Sequence, residues 1–161
     1  MNGAHNEEDA AKRLIDQIIC RQADIEEIIE LREQVIIRGT HRDTPYFDGD
    51  RGKNTLHFGA FHGTKNIGCL TFILNEWQGR PAWQLRGMAS DPDYRAMGVG
   101  ARLLKFAESA LKEQSNVRRL WCNARSSAMR FYEKQGWTTA SDEFIIAHIG
   151  PHFKMIKILD E

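Results

Sequence analysis

The residues best suited to chemistry gather in one short segment, Asp93-Tyr94-Arg95-Ala96-Met97-Gly98-Val99-Gly100-Ala101, which joins a strand to the strongest helix of the chain. Glycines at 98 and 100 leave no Cβ where a ligand must come close to the backbone. The turn aims N–H groups outward at a helix start, and these groups, with the positive end of the helix dipole, favour a phosphate or pyrophosphate. Arg95 adds a fixed positive charge at the mouth. A dinucleotide fingerprint would need Gly or Ala where Leu103 stands, and a Gly-Lys-Ser/Thr phosphate loop is absent as well. Metal chemistry finds no support. His57 and His62 are five apart on or beside a strand, hence on opposite faces, and no carboxylate or Cys cluster completes His148 and His152. Cys20, Cys69 and Cys122 are odd in number and lack metal-ligand spacing; they read as buried small apolar residues in a reducing compartment.

The elements that must hold this segment alternate between strand and helix. After a polar, frayed stretch from Met1 to about Ala11, a strand is expected over Leu14 to Cys20. Asp24 opens a helix with Glu27 at capping-box spacing, and Ile25, Ile28, Ile29, Val35 and Ile36 share a face. Gly39 to Asn54 reads as a long loop, of the kind that usually serves function or motion. Two strands, Thr55–Phe61 and Ile67–Asn75, flank a hairpin turn at His62-Gly63-Thr64-Lys65, and a third runs Ala82–Ala89. Val99 to Gln114 is a helix whose stripe is Val99, Leu103, Phe106 and Ala110, widened by Leu104, Ala107 and Leu111. A strand Arg119–Asn123, a helix from an N-cap at Ser126 to a stop at Gly136, and strands Thr138–His148 and His152–Leu159 complete the chain. Trp77, Trp83, Trp121 and Trp137 are expected in the core.

The chain of 161 residues suits a single domain with its own core, and 22 Lys plus Arg against 22 Asp plus Glu argues against non-specific nucleic-acid binding. The polar, acidic N-terminus carries no apolar run, and no stretch approaches the ~18 apolar residues of a membrane span. A cytoplasmic protein without a membrane partner is the expectation.

At Arg95, Gly98 and Gly100 the sequence resembles the GNAT superfamily of acyl-CoA N-acyltransferases, whose signature is Arg or Gln, two residues, Gly, one residue, Gly or Ala. The resemblance extends to Leu85-Arg86-Gly87-Met88-Ala89, like the family's fourth strand, and to Phe131-Tyr132-Glu133-Lys134-Gln135-Gly136-Trp137, like its last helix. Trp121-Cys122-Asn123-Ala124-Arg125 and Ile149-Gly150-Pro151-His152, with Leu31-Arg32, Arg38-Gly39 and His57-Phe58-Gly59-Ala60, are similar to small bacterial members of mostly undefined substrate.

The resemblance implies an α/β fold: a mixed, mostly antiparallel central sheet, splayed between strands four and five, with helices on both faces. It implies acetyl-CoA (coenzyme A) as cofactor, held by Met88, Ala89, Ser90, Arg95, Ala96, Met97, Gly98, Val99, Gly100, Ala101 and Asn123. Tyr132 is the implied general acid, since a phenol near pKa 10 and a thiol near 8.5 are close enough for proton transfer. The fourth strand offers Gln84 and Arg86 but no carboxylate base, which leaves ordered water, His57 or His152. Arg32, Arg38, Arg86 and Arg125, with His57 and His152, map to the acceptor side and suit a small-molecule or peptide amine that carries an anion. A homodimer is left open. The alternative is a CoA-binding sensor or interaction module with little or no turnover.

Overall fold

The computed structural model describes residues 3–160. Helix α1 (Gly3–Asp16) leads to strand β1 (Ile18–Ala23) and helix α2 (Ile25–Arg32). Strands β2 (Thr55–His62), β3 (Lys65–Trp77) and β4 (Arg80–Ser90) form an antiparallel meander. Helix α3 (Val99–Gln114), strand β5 (Arg119–Arg125), helix α4 (Met129–Lys134) and strands β6 (Thr138–Thr139), β7 (Phe144–Ile146) and β8 (Gly150–Ile158) follow. The sheet order is β1-β2-β3-β4-β5-β8-β6, with β7 also on β8. Every pairing is antiparallel except β4 with β5.

That parallel pairing is short. It joins Trp83 to Leu120, Gln84 to Trp121 and Leu85 to Cys122, and then the strands part. The mixed, splayed sheet expected from the sequence is therefore present. On its other edge β4 carries a bulge: Thr71 faces Arg86 and Cys69 faces Ala89, so Leu70 stands opposite both Gly87 and Met88. Gly87 makes the bulge sterically feasible. Its φ is +62°, and a Cβ there would lie 2.9 Å from Phe47 Cε2 and 3.0 Å from Arg32 Nε.

Helices cover both faces. The α3 residues Leu103, Leu104, Ala107 and Leu111 are fully buried in one core with Phe58, Leu70, Phe72 and Leu120, and α4 adds Tyr132 while Trp137 follows it. Each fully buried leucine contributes about 1.5–3 kcal/mol of transfer free energy. On the opposite face Ile25, Ile28 and Leu31 of α2 pack against Cys69 and Ala89. The predicted α2 cap is present: the Asp24 N–H donates to Glu27 Oε2 at 2.8 Å.

Several expectations change. Gly3–Asp16 is helical rather than frayed, and the first strand starts at Ile18, not Leu14; Met1 and Asn2 lie outside the described residues. Glu7, Glu8, Ala10, Ala11, Lys12 and Arg13 favour helix, and Ala4, Ala11, Leu14 and Ile15 stand at helical spacing, a signal hidden by the polar residues around it. Arg102 ties its end by donating to the Ile15 carbonyl at 2.7 Å. The predicted strand Thr138–His148 is broken into β6 and β7, because Ser141 Oγ accepts from the Lys154 N–H at 2.9 Å and turns the chain off the ladder. Ser126 does not cap α4; its hydroxyl donates to Glu143, and a tight turn over Ser126–Ala128 leads into the helix. Trp77 and Trp121 are half-buried and stack 5.5 Å apart, outside the core that holds Trp83 and Trp137. No described helix is long and apolar enough to cross a membrane.

Candidate functional site

Two clefts open where β4 and β5 part. The first, about 470 Å³, lies along the start of α3. Gly98 is the residue before the helix, in the left-handed region at φ 71° and ψ 18°, and it offers no side-chain cap. The first helical hydrogen bond runs from the Arg102 N–H to the Gly98 carbonyl at 3.0 Å, so the N–H groups of Val99, Gly100 and Ala101 precede it and are left for a ligand. No acidic residue occupies that first turn to compete with an anion. The approach is set by Asp91, whose Oδ1 accepts from the Asp93 N–H at 2.9 Å, and by Ala96, bent to φ +64°. Met88, Ala89, Ser90, Arg95, Ala96, Gly98, Val99, Gly100 and Ala101 all line this groove. A Cβ on Gly100 would meet Met88 Cε and Ser90 Oγ at 3.4 Å and Phe131 Cζ at 3.5 Å. Met97 does not line it; its half-buried side chain packs on the core instead.

The second cleft, about 420 Å³, lies on the α2 face of the sheet. One wall is apolar, from Val35, Ile36, Phe47, Ile146 and Ile149. Val35 and Ile36 arrive through a widened turn over Glu33–Ile37 that ends α2, in which the Arg38 N–H bonds the Glu33 carbonyl at 2.8 Å. The polar groups are Gln84, Arg86, Asn123, Arg125 and His152, and among the described residues no Asp or Glu lines the cleft. Met88, Ala128 and Tyr132 line both clefts and form the partition between them. Tyr132 is 8% exposed, its ring edged by Phe131 at 5.2 Å and Trp137 at 5.6 Å, and its hydroxyl approaches Met88 Sδ at 3.7 Å. Burial raises its pKa well above the ordinary phenol value and keeps it protonated.

The model of the Acetyltransferase (GNAT) family matches residues 11–137. The chain belongs to that family. It is 32% identical over 141 residues to YitI of Bacillus subtilis (strain 168), named an uncharacterized N-acetyltransferase, an alignment covering 84% of this chain and 92% of the relative. Among solved structures it is similar to an acyl-CoA N-acyltransferase from Pseudomonas aeruginosa, with TM-score 0.72, 16% identity, and 87% and 98% of the two chains covered. It is similar also to an aminoglycoside 6'-N-acetyltransferase complexed with coenzyme A, with TM-score 0.68, 13% identity, and coverage of 89% and 98%.

Within this GNAT domain the predicted acceptor-side residues fare unequally. Arg86, Arg125 and His152 line the second cleft. Arg38 does not: the widened turn sends it to solvent, 3.9 Å from Glu33. His57 does not either. It is buried, with Nε2 2.7 Å from the Asp50 carbonyl and Nδ1 2.8 Å from Thr71 Oγ1. Desolvation lowers its pKa, so it is a neutral structural group and both candidate base nitrogens are engaged. Arg32, also expected near the acceptor, is 0% exposed. It grips Asp50 Oδ2 at 2.7 Å and Oδ1 at 3.2 Å, and Thr71 Oγ1 at 2.7 Å. Asn123 lines the second cleft rather than the first, with Oδ1 accepting from Lys154 Nζ at 2.9 Å.

Sequence reasoning missed Phe47 and Asp50, which lie in a loop without period, and the bonded row from Trp121 Nε1 to Asn75 Oδ1 (2.9 Å) and Asn75 Nδ2 to Gln84 Oε1 (2.7 Å). It also missed that Cys122 lines the second cleft, where burial pushes its thiol up to about 12. Arg86 is a half-buried cation of the cleft. It stacks 4.9 Å from the Phe47 ring and donates to the Asp48 carbonyl at 3.3 Å, yet among the described residues no carboxylate pairs with it. Desolvation lowers its pKa, the sign of a charge held without full compensation.

Proposed function

We propose that this chain is an acetyl-CoA-dependent N-acetyltransferase whose acceptor is a small amine that also carries a carboxylate. The observation that carries this reading is the partition: a helix start with free N–H groups and an arginine that no carboxylate pairs open into two clefts that share Tyr132 and Met88. The cofactor groove fits its expected occupant, since the slot beside Gly100 is one that a single Cβ would fill. The coenzyme A bound to a neighbour of the same fold supports that fit. Acetyl-CoA supplies the thioester carbonyl that the amine attacks. The N–H groups of Val99, Gly100 and Ala101 hold the pyrophosphate, and β4 from Met88 to Ser90 offers backbone groups along the splay. A backbone N–H near Met88 stabilises developing oxyanion charge, a contribution of a few kcal/mol. Tyr132 holds the proton for the leaving sulfur.

Acetyl-CoA at a hundredfold excess over its dissociation constant is expected to stabilise the fold by about 2.7 kcal/mol, read as a raised melting temperature. Gly100→Val should remove most of that rise by filling the slot; Gly98→Val is the less clean variant, because its φ of +71° strains any side chain. No rise in the parent protein would defeat the cofactor assignment.

The acceptor class follows from charge. A half-buried guanidinium that bonds one carbonyl, stacks on Phe47 and pairs with no carboxylate of the described residues favours a carboxylate ligand, which it can hold in a fixed orientation. Arg86→Gln is expected to raise the acceptor KM about 10- to 100-fold with the acetyl-CoA melting shift unchanged, whereas Arg38→Gln should alter neither. The deciding experiment is thiol release from acetyl-CoA with leucine, phenylalanine, glutamate, spermidine and an aminoglycoside. Preference for the last two would overturn the carboxylate reading. A CoA-binding module without turnover is favoured by one observation, the lack of a carboxylate on β4; it would give the melting shift and no thiol release with any amine.

A further inference from the structure

Of the two histidines that could take a proton from the amine, the fold removes one and prepares the other. His57 spends both ring nitrogens on the protein and stays behind the cleft. His152 lines the cleft, is 4% exposed, and uses only one nitrogen: Nδ1 lies 2.7 Å from the Gly150 carbonyl. A carbonyl oxygen can only accept, so Nδ1 carries the hydrogen. In the neutral ring Nε2 then presents a lone pair, and no side chain or backbone group of the described residues donates to it. The ring plane is fixed as well. Gly150 opens β8 at φ +124°, which turns its carbonyl back onto the ring edge, and Phe144 of β7 lies against the ring at 6.0 Å and 33°. A buried imidazole locked in one tautomer, with one unpartnered nitrogen and a place in the lining of an open cleft, has the form of a base awaiting a donor.

From this geometry we infer that His152 Nε2 is the general base that deprotonates the acceptor amine. The inference rests on the preceding reading that an amine enters the Arg86 cleft. The ammonium gives one proton to Nε2, forming imidazolium and a free amine. The nitrogen lone pair then forms the C–N bond as the C–S bond breaks. The sulfur takes the Tyr132 proton, and the nitrogen's second proton restores the phenol through solvent. The imidazolium releases its proton to water, so one acetyl group is transferred and one proton is produced. The titratable or charged groups facing His152 across the cleft are Arg86 of β4, Cys122 and Arg125 of β5, and Tyr132 of α4. Arg125 stands opposite it in the β5–β8 register. None is a carboxylate that could take over the role.

The test uses His152→Asn, whose side-chain amide can keep the Gly150 bond while deleting Nε2, and His152→Gln, which keeps a polar atom near Nε2 without basicity. With the carboxylate amine that reacts best of leucine, phenylalanine and glutamate, kcat/KM is expected to fall by roughly 10²- to 10⁴-fold in both. The acetyl-CoA melting shift should persist, which shows that the variants fold. The acid limb of the parent kcat/KM profile should vanish, leaving activity that rises only where the amine itself loses its proton. Activity within twofold of the parent, or a loss with the acid limb in its original place, would overturn the proposal. Imidazole nitrogen NMR of the parent decides independently of any acceptor: an Nδ1–H tautomer at His152 is expected, and an Nε2–H tautomer refutes it. Absence of turnover with every amine sinks the transferase reading instead, while the NMR result still bears on His152.

Discussion

Tyr132→Phe is expected to lower turnover by roughly 10²- to 10⁴-fold while leaving acetyl-CoA binding intact. The substitution keeps the ring contacts with Phe131 and Trp137 and deletes only the hydroxyl, whose one protein contact is Met88 Sδ. A raised phenol pKa at first argues against a general acid, because a weaker acid gives its proton less readily. The same burial acts on the leaving group. Cys122 shows the direction for a thiol in this cleft, since burial raises it. A thiolate released beside Tyr132 is therefore a stronger base than it is in water, and the transfer remains feasible. The raised pKa also fixes a sign. An acid is lost when pH rises through its pKa, so Tyr132 should contribute no alkaline fall in kcat below about pH 10. An unchanged rate in Tyr132→Phe, with chemistry shown to be rate-limiting, would assign the proton to solvent.

How far the sequence reaches into this site depends on whether a signal is local. Gly98 at the head of α3, Glu27 at the cap of α2 and Gly136 at φ +87° after α4 are each set by the backbone within a few residues, and each was readable. The α3 stripe was readable only to within its own width. Phe106 is 39% exposed and stacks on Phe58 from the rim, while Leu103, Leu104, Ala107 and Leu111 face the core. Periodicity marks a face, and the packing partner picks its centre. The acceptor side was poorly legible for a different reason. A strand pattern places His57, Arg86 and Asn123 on one face of the sheet, but what covers that face is the loop 39–54, which has no period. The loop puts Asp50 over Arg32, 18 positions away, and over His57, and puts Phe47 beside Arg86, contacts that no spacing rule predicts. The bulge at Gly87 and Met88 was hidden likewise: the strand was visible, but its register depends on β3.

Asp50→Asn is expected to destabilise the fold by about 3–5 kcal/mol, a fall in melting temperature of roughly 6–20 °C for a chain of this size. The Arg32 and Asp50 side chains are 0% and 4% exposed, so the variant leaves a full positive charge in the interior with neutral partners alone: the new amide oxygen, Thr71 Oγ1, the Pro45 carbonyl and the Phe47 ring. The loss should reach the acceptor cleft. Asp50 Oδ2 accepts from the Phe47 N–H at 2.7 Å, and the Phe47 ring lies under Arg32 at 4.2 Å and Arg86 at 4.9 Å. A weakened Asp50 therefore loosens both an apolar wall of the cleft and the support of Arg86, the arginine proposed to hold the acceptor's anion. The acceptor KM should rise, while acetyl-CoA affinity, set on the far side of Tyr132, should hold. The double variant Arg32→Met with Asp50→Leu separates charge from architecture. It buries no uncompensated charge and should recover much of the lost stability, but it cannot rebuild the hydrogen bond to Phe47, so its KM should stay high. A single variant that melts like the parent would show that the pair does not hold the loop, and a double variant with parental KM would show that Phe47 is positioned by packing alone.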